Sequence, residues 1–287
     1  MVCFSRRQFV AVILAVSAMA SPVSAEDLWK TVPPPAALPK ADESGLAPVN
    51  DIQMYYEIYN SGGADPVLLL HGGLGSTLNW GNQVPALTGK HKVVALDSRG
   101  HGRSTRSAQP FGYELMASDV LAMMDHLKLD KVSIIGWSDG GIIGLVLAMQ
   151  HPERVSKLFA YGANYNVSGV NPAVETNEVF GKAIGMAMEN YQKLSPTPGE
   201  FDNFLKQISG MWFSQPDFKA EQLGAIKVPT VIADGQYEEA ILPAHTAELA
   251  KLIPGSKLVI IPNVSHMGMW QDPAAFNKEM TAFLDGK

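Results

Sequence analysis

The order of apolar and polar residues along the chain predicts strands that alternate with helices. From Ile52 to Ile58 every second residue is apolar, which is the period of a half-buried strand. Short, mostly apolar segments predict further strands at 66–70, 92–96, 132–135, 155–161, 229–233 and 258–261. Longer segments with helical spacing predict helices at 113–129, 141–150, 243–252 and 273–284. Apolar strands that alternate with helices predict an α/β fold, with a mostly parallel sheet covered by helices on both faces.

The alternation is interrupted in two places. Residues 164–222 are rich in methionine, asparagine and aromatic side chains and show no strand pattern. They are far longer than an ordinary connection between two strands. We therefore expect an inserted helical cap over the carboxyl edge of the sheet, where open α/β sheets place their ligands. Residues 26–49 contain five prolines and predict an extended lead-in that is not a domain. The core domain then spans 50–163 and 223–287.

Residues 1–25 have the pattern of an export signal. Arg6 and Arg7 precede an apolar segment at 9–20, and small residues lead up to a cleavage point after Ala25. The arginine pair favours the twin-arginine route, with an ordinary Sec signal as the alternative. The apolar segment is short for a membrane span. We therefore expect a periplasmic or secreted bacterial protein with no stable membrane anchor after cleavage.

The net charge and the cysteine content argue against several kinds of partner and of catalytic chemistry. The formal net charge is −6, and loss of Arg6 and Arg7 with the signal would make it −8. An acidic chain lacks the basic surface that neutralises phosphates, so we expect no nucleic-acid partner. The only cysteine, Cys3, would also leave with the signal, so the mature chain would have no thiolate chemistry. No histidine or cysteine pair has the spacing of metal ligands, and we expect neither a metal site nor a cofactor.

The sharpest local motif is Gly136-Trp137-Ser138-Asp139-Gly140. It follows the predicted strand 132–135 and precedes a predicted helix, which is the context of a nucleophile elbow. Glycines on both sides permit a turn tight enough to lift the serine side chain clear of the sheet. The next backbone N–H, that of Asp139, then points at the oxygen that gains charge during acyl transfer. The motif predicts Ser138 as a nucleophile.

Two more segments occur in the order expected of one family. His71-Gly72-Gly73-Leu74-Gly75 follows the strand 66–70, and an Asp-Ser-Arg-Gly-His-Gly-Arg-Ser segment at 97–104 follows the next strand. With the elbow, they resemble the α/β-hydrolase fold family over about 50–163 and 224–287. The resemblance implies a serine hydrolase whose oxyanion hole is formed by the N–H groups of Asp139 and Gly73, with Leu74 as the alternative to Gly73. It also implies structural roles for His71 and His101.

The family order of serine, acid and histidine identifies the candidate base. Only His245 and His266 follow both Ser138 and the acid candidates. His245 lies inside the predicted helix 243–252 and is expected on its surface. His266 follows the strand 258–261, where the fold places its histidine, and is therefore the predicted general base.

The acid is predicted by counting from a glycine. Family members usually carry an aspartate three residues after the glycine that closes the seventh strand. Counting from Gly235 gives Glu238, which is one methylene longer than aspartate. Either carboxylate can hold the imidazole tautomer and stabilise the imidazolium. Asp234 and Glu239 are the alternatives, since a one-residue shift in the turn would present either.

The resemblance implies hydrolysis of a small-molecule ester through an acyl-enzyme. Gly136–Gly141 and the segment 161–164 also resemble amino-acid-ester hydrolases of the valacyclovir-activating type, in which the aspartate after the nucleophile binds the substrate amine. Asp139 is therefore a candidate ligand for the substrate amine. In the alternative role, its side chain only forms hydrogen bonds with nearby backbone or water. Trp137 and Met267, beside nucleophile and base, are further candidate substrate-binding residues. The competing functions are lactone opening, C–C hydrolysis or perhydrolysis with the same triad, and a catalytically silent periplasmic ligand-binding protein.

Overall fold

An eight-stranded sheet organises the protein. The computed structural model describes residues 27–286, so the predicted signal at 1–25 lies outside the described residues. The strands are β1 (Glu43–Val49), β2 (Ile52–Tyr59), β3 (Ala64–Leu70), β4 (His91–Leu96), β5 (Val132–Trp137), β6 (Val155–Tyr161), β7 (Thr230–Gly235) and β8 (Lys257–Ile261). The order across the sheet is β1-β2-β4-β3-β5-β6-β7-β8. β2 pairs antiparallel with both β1 and β4, and every other pair is parallel.

Helices cover both faces of the sheet, as the alternation of apolar segments predicts. They are α1 (Val84–Leu87), α2 (Tyr113–His126), α3 (Asp139–Gln150), α4 (Glu178–Leu194), α5 (Phe201–Trp212), α6 (Ala220–Gly224), α7 (Pro243–Leu252), α8 (Gly268–Gln271) and α9 (Pro273–Leu284). Successive side chains of a strand point to opposite faces. Leu68 and Leu70 accordingly join one apolar cluster, which α2, α3 and α7 cover, whereas Val67 and Leu69 join the other, which α1, α8 and α9 cover. The predicted fold class is confirmed. No helix within residues 27–286 is both long and apolar enough to cross a lipid bilayer.

The lead-in predicted at 26–49 is more structured than expected. Its last part is β1, which pairs with β2 from Glu43↔Ile58 to Val49↔Ile52. Pro48 hid the strand pattern, and it is tolerated because β1 is the edge of the sheet, where a missing N–H costs no ladder hydrogen bond. The core therefore begins with β1 at Glu43, and the prediction that it begins at residue 50 is wrong.

Residues 27–42, which we call the N-terminal strap, pack against the core. A short 3₁₀ turn at Leu28–Lys30 begins the strap. Val32, Leu38 and Ala41 contact the apolar cluster that α8 and α9 cover. The strap backbone lies so close to the loop before α1 that a Cβ on Gly81 would fall 1.6 Å from the carbonyl oxygen of Ala36.

The predicted cap, residues 164–222, lies between β6 and β7 and contains α4, α5 and the start of α6. The apolar face of α5 docks it on the core. Phe204 is fully buried, and its ring packs edge-on against His101 at 4.7 Å and Phe111 at 5.7 Å between centroids. Tyr191 of α4 stacks on the other side of the same ring at 5.0 Å.

Candidate active site

Ser138 occupies the turn between β5 and α3. Its backbone has φ 53° and ψ −118°, a left-handed conformation that a residue with a Cβ rarely adopts. The glycines beside it are required by close backbone approaches. A Cβ on Gly136 would lie 2.4 Å from the Gly140 carbonyl oxygen, and one on Gly140 would lie 2.0 Å from the Leu70 carbonyl oxygen. Backbone strain of this kind persists only where the surrounding fold imposes it.

His266 and Glu238 approach the serine from two loops. His266 follows β8, Glu238 follows β7, and the imidazole Nδ1 lies 2.8 Å from Glu238 Oε1. The same Oε1 accepts hydrogen bonds from the backbone N–H groups of Ala240 at 2.7 Å and Ile241 at 3.1 Å. Both side chains of the pair are almost fully buried, and His266 lines the same cavity as Ser138. The structure therefore brings together the three predicted triad residues.

The two alternative acids have other contacts. Glu239 accepts hydrogen bonds from Ser265 Oγ at 3.1 Å and from the backbone N–H of His266 at 2.9 Å, so it braces the histidine loop. Asp234 accepts hydrogen bonds from the Gly235 N–H at 2.9 Å and from Thr246 Oγ1 at 2.6 Å. Of the three carboxyl groups, only Glu238 has a hydrogen-bond contact with a ring nitrogen of His266.

Burial sets the protonation of these groups. Burial, together with the charge of Glu238, raises the pKa of Asp234 well above its ordinary value. Asp234 and Glu238 lie near enough for each to affect the pKa of the other, and Glu238 Oε2 has no hydrogen-bond partner among the described residues. Burial also raises the pKa of Glu238 to about 7. Burial lowers the pKa of His266, against the opposing charges of Glu239, Asp234 and Asp139. A neutral imidazole is the form that can accept a proton from a serine.

The residues predicted to form the oxyanion hole lie around the nucleophile. Asp139 begins α3, so its N–H has no acceptor within the helix. Gly73 lies close to both Trp212 and Asp139, because a Cβ on it would fall 2.3 Å from the Trp212 ring and 2.7 Å from Asp139 Oδ2. Leu74, the alternative donor, has φ 62° and is buried. Gly73 and Leu74 line the cavity beside Ser138, as an oxyanion hole requires.

The histidines given structural roles are buried, and one of them corrects a prediction. His71 Nδ1 donates to the Gly72 carbonyl at 2.7 Å and its Nε2 accepts from Ser98 N–H at 3.0 Å, and burial lowers its pKa to about 4. His101 donates to the Arg99 carbonyl at 2.9 Å. His245 is not on a helix surface as predicted. It is buried under the start of the cap, where it accepts from the Tyr165 N–H at 3.1 Å.

Asp139 has a defined side-chain environment. Its carboxylate accepts hydrogen bonds from Tyr113 Oη at 2.9 Å and from Trp212 Nε1 at 3.0 Å. Burial raises its pKa to about 6, and both donors oppose that shift. Neither Tyr113 nor Trp212 is predicted from the sequence as a partner of Asp139. They lie 26 and 73 residues from Asp139, and no local pattern marks them.

The cavity at Ser138 has two compartments, which meet at Ser138 and His266 and share Phe180, Ile184 and Trp212. The smaller compartment measures about 50 Å³, and the two remaining predicted substrate-binding residues, Trp137 and Met267, line it. The larger measures about 360 Å³ and is lined in part by Asp139 and Glu175. Among the described residues that line either compartment, none is a lysine or an arginine. The larger compartment is therefore apolar with an acidic character.

Comparison with known proteins assigns the family. A family model described as alpha/beta hydrolase fold matches residues 65–197. The human serine hydrolase BPHL is 30% identical over 266 residues, covering 88% of this chain and 89% of that protein. The chain belongs to the α/β-hydrolase family.

Two further relatives indicate the range of this family. The 3-oxoadipate enol-lactonase 2 of Acinetobacter baylyi is 25% identical over 262 residues, covering 82% of this α/β-hydrolase and 94% of that enzyme. The crystal structure of an enol-lactonase from Burkholderia xenovorans LB400 is 25% identical, with a TM-score of 0.68, and the match covers 84% of this chain and 100% of that one. These relatives support a general hydrolytic activity.

Proposed function

We propose that this α/β-hydrolase cleaves carboxylic esters through a covalent acyl-enzyme on Ser138. One observation carries the proposal: a serine in a strained elbow lines one cavity with His266, whose ring contacts the buried carboxyl group of Glu238. A catalytically silent binding protein would need none of these groups in this arrangement. The environment of the elbow favours an activated serine over a structural turn.

In the first half of the proposed reaction, Ser138 Oγ attacks the ester carbonyl carbon while its proton passes to His266 Nε2. The N–H groups of Asp139 and Gly73 stabilise the negative charge on the carbonyl oxygen. Glu238 holds the imidazole through Nδ1 and stabilises its charged form. Collapse of the tetrahedral intermediate breaks the ester C–O bond, and the leaving alkoxide takes the proton from His266.

In the second half, water attacks the acyl carbon and gives its proton to His266. Collapse breaks the bond to Ser138 Oγ, which regains that proton, and the carboxylic acid leaves. His266 therefore serves first as base and then as acid in each half.

Asp139 supports a narrower proposal, a preference for esters of α-amino acids. Its carboxylate is buried beside Ser138, and no lysine or arginine lines the larger compartment within the described residues. Uncompensated negative charge in a partly desolvated site favours a cationic group on the substrate. Two donors already contact this carboxylate, and an ammonium group would use its remaining lone pairs.

The decisive experiment measures turnover and labelling by a fluorophosphonate probe in the wild type and in Ser138→Ala. We expect the variant to lose labelling and at least about 10³-fold in kcat while keeping its fold. A clean Ser138→Ala preparation with near-normal turnover would reject the serine mechanism. A panel of p-nitrophenyl esters, lactones and α-aminoacyl esters separates ester hydrolysis from lactone opening.

The amine preference has its own test. Wild type should favour α-aminoacyl esters over the matching N-acetylated esters, and Asp139→Asn should erase that preference while sparing neutral esters. The variant keeps the backbone N–H, so it serves as its own control for the oxyanion hole. Equal wild-type rates on free and N-acetylated esters would rule out amine binding by Asp139.

A further inference from the structure

The N-terminal strap contacts the outer side of both loops that carry the proposed triad. Its 3₁₀ turn lies beside the histidine loop through Gln271 and beside the acid loop through Tyr237. Neither contact is needed to complete the sheet or the elbow.

Gln271, at the end of α8, joins the strap to the histidine loop. This buried amide donates from Nε2 to the Thr31 carbonyl at 2.8 Å and to Ser265 Oγ at 3.0 Å, and its Oε1 accepts from the Ser265 N–H at 2.6 Å. Its Nε2 also lies 3.3 Å from the Trp29 carbonyl. One side chain therefore ties two strap carbonyls to the residue that precedes His266.

The network continues to the base itself. Ser265 Oγ donates to Glu239 Oε1 at 3.1 Å, and Glu239 Oε2 accepts from the His266 N–H at 2.9 Å. Hydrogen bonds thus run without a break from the strap backbone through Gln271, Ser265 and Glu239 to the backbone of His266. Because Gln271, Ser265 and Glu239 are buried, losing one partner leaves another polar group unsatisfied.

On the acid loop, the strap makes an aromatic contact. The Trp29 ring stacks on Tyr237, with centroids 4.6 Å apart and planes 16° apart. Tyr237 directly precedes Glu238, and its N–H donates to the Val264 carbonyl of the histidine loop at 2.9 Å. The strap turn therefore rests on a point where the two loops are already joined to each other.

We propose that the N-terminal strap is a positioning element for the proposed triad, acting on His266 through Gln271 and on Glu238 through Tyr237. The inference rests on the proposed function, because it assigns the strap a role in the chemistry of His266. Misplacing a catalytic group by about 1 Å can cost about 100-fold in rate. Loss of the strap contacts should therefore lower kcat, with a smaller effect on KM.

Two substitutions at Gln271 separate its contact with the strap from its contact with Ser265. Gln271→Met removes every hydrogen bond of the amide with little change in volume. Gln271→Glu keeps an acceptor for the Ser265 N–H but places a carboxylate against the strap carbonyls. We expect both variants to lose about 10–100-fold in kcat on a neutral ester. Trp29→Ala should cause a smaller loss in the same direction.

Leu38→Ala is the matched control, because Leu38 packs another part of the strap on the core and takes no part in the hydrogen bonds or the ring stack that reach the two loops. It should lower thermal stability while keeping kcat and the pH profile. The spectroscopic readout is the low-field proton resonance of His266 Nδ1–H bonded to Glu238. It should persist in Leu38→Ala and shift or broaden in both Gln271 variants and in Trp29→Ala.

Wild-type kcat in Gln271→Glu would overturn the role of the strap contact. Equal losses of kcat in Leu38→Ala and Gln271→Met would mean that the strap contributes only to stability and does not position the triad. Failure of the serine mechanism would be seen separately, as turnover that survives Ser138→Ala.

Discussion

At the scale of single residues, three buried carboxyl groups surround one imidazole. Asp234, Glu238 and Glu239 are each at most 7% exposed. Neighbouring carboxylates in a low dielectric resist ionising together. The hydrogen bonds divide them: Asp234 accepts from groups of β7 and α7, Glu239 braces the histidine loop, and Glu238 contacts His266. Their roles are therefore set by contacts and not by residue type.

The first prediction ranks three isosteric substitutions by their effect on kcat. Glu238→Gln should cost the most, because an amide can hold His266 in the wrong tautomer and cannot stabilise its charged form. Asp234→Asn should cost the least, because Asp234 does not contact the His266 ring and the amide oxygen of asparagine can still accept from the Gly235 N–H. Ester hydrolysis by the three purified variants checks the order. If Asp234→Asn were the most damaging, the acid would have been assigned to the wrong residue.

The second prediction concerns the ionisation of Asp139. Burial raises its pKa from 3.8 to about 6, so its contribution to stability is full below about pH 4 and is lost as the pH rises through 6. Asp139→Asn cannot ionise and escapes this loss. Relative to wild type, the variant should gain about 2–3 kcal/mol of unfolding free energy between pH 4 and pH 8. Urea denaturation at both pH values measures this difference. A pH-independent difference would contradict the burial argument.

At the scale of elements, α5 connects the cap to the core by two aromatic side chains. Phe204 packs against His101 and Phe111, and Trp212 donates to Asp139 beside the nucleophile. The two contacts lie two turns apart on one helix face, so the same helix face covers the core and borders the larger compartment. The position of the cap is therefore coupled to the cavity.

The third prediction tests this attachment. Phe204→Ala removes a fully buried ring and should lower the unfolding free energy by about 3–5 kcal/mol. Phe213→Ala, one residue beyond α5 and 65% exposed, is the control and should change stability little. Urea denaturation followed by circular dichroism compares the two. Equal effects would mean that Phe204 does not anchor the cap.

At the scale of the whole molecule, parallel strands bring distant parts of the chain to one edge. Ser138, Glu238 and His266 follow β5, β7 and β8, whose carboxyl ends lie on the same side of the sheet. The strap and the cap then close this edge from two directions. The site is assembled from the full length of the described chain.

The fourth prediction concerns export, which we propose from residues 1–25. Replacing Arg6-Arg7 with Lys-Lys should trap the precursor in the cytoplasm, because the twin-arginine receptor reads the arginine pair. Fractionation and blotting of the precursor and mature forms measure the outcome. Mature protein that still reaches the periplasm would indicate the Sec route.

The sequence alone determined the order of the strands β2 to β8, the elbow, and the places of Glu238 after β7 and His266 after β8. Each depends on local order, such as an apolar strand followed by a tight glycine turn and a helix. Counting from Gly235, which does close β7, leads to the carboxyl group that contacts the His266 ring.

Only the tertiary structure decided the rest. The donors to Asp139, the burial of His245 and the strap contacts all join residues that are distant in the chain. The helical pattern of 243–252 could not show that the cap covers His245. The proline-rich lead-in could not show that its carbonyl groups accept hydrogen bonds from Gln271. Such contacts depend on how elements pack, and they produce no periodic pattern in the sequence of either partner.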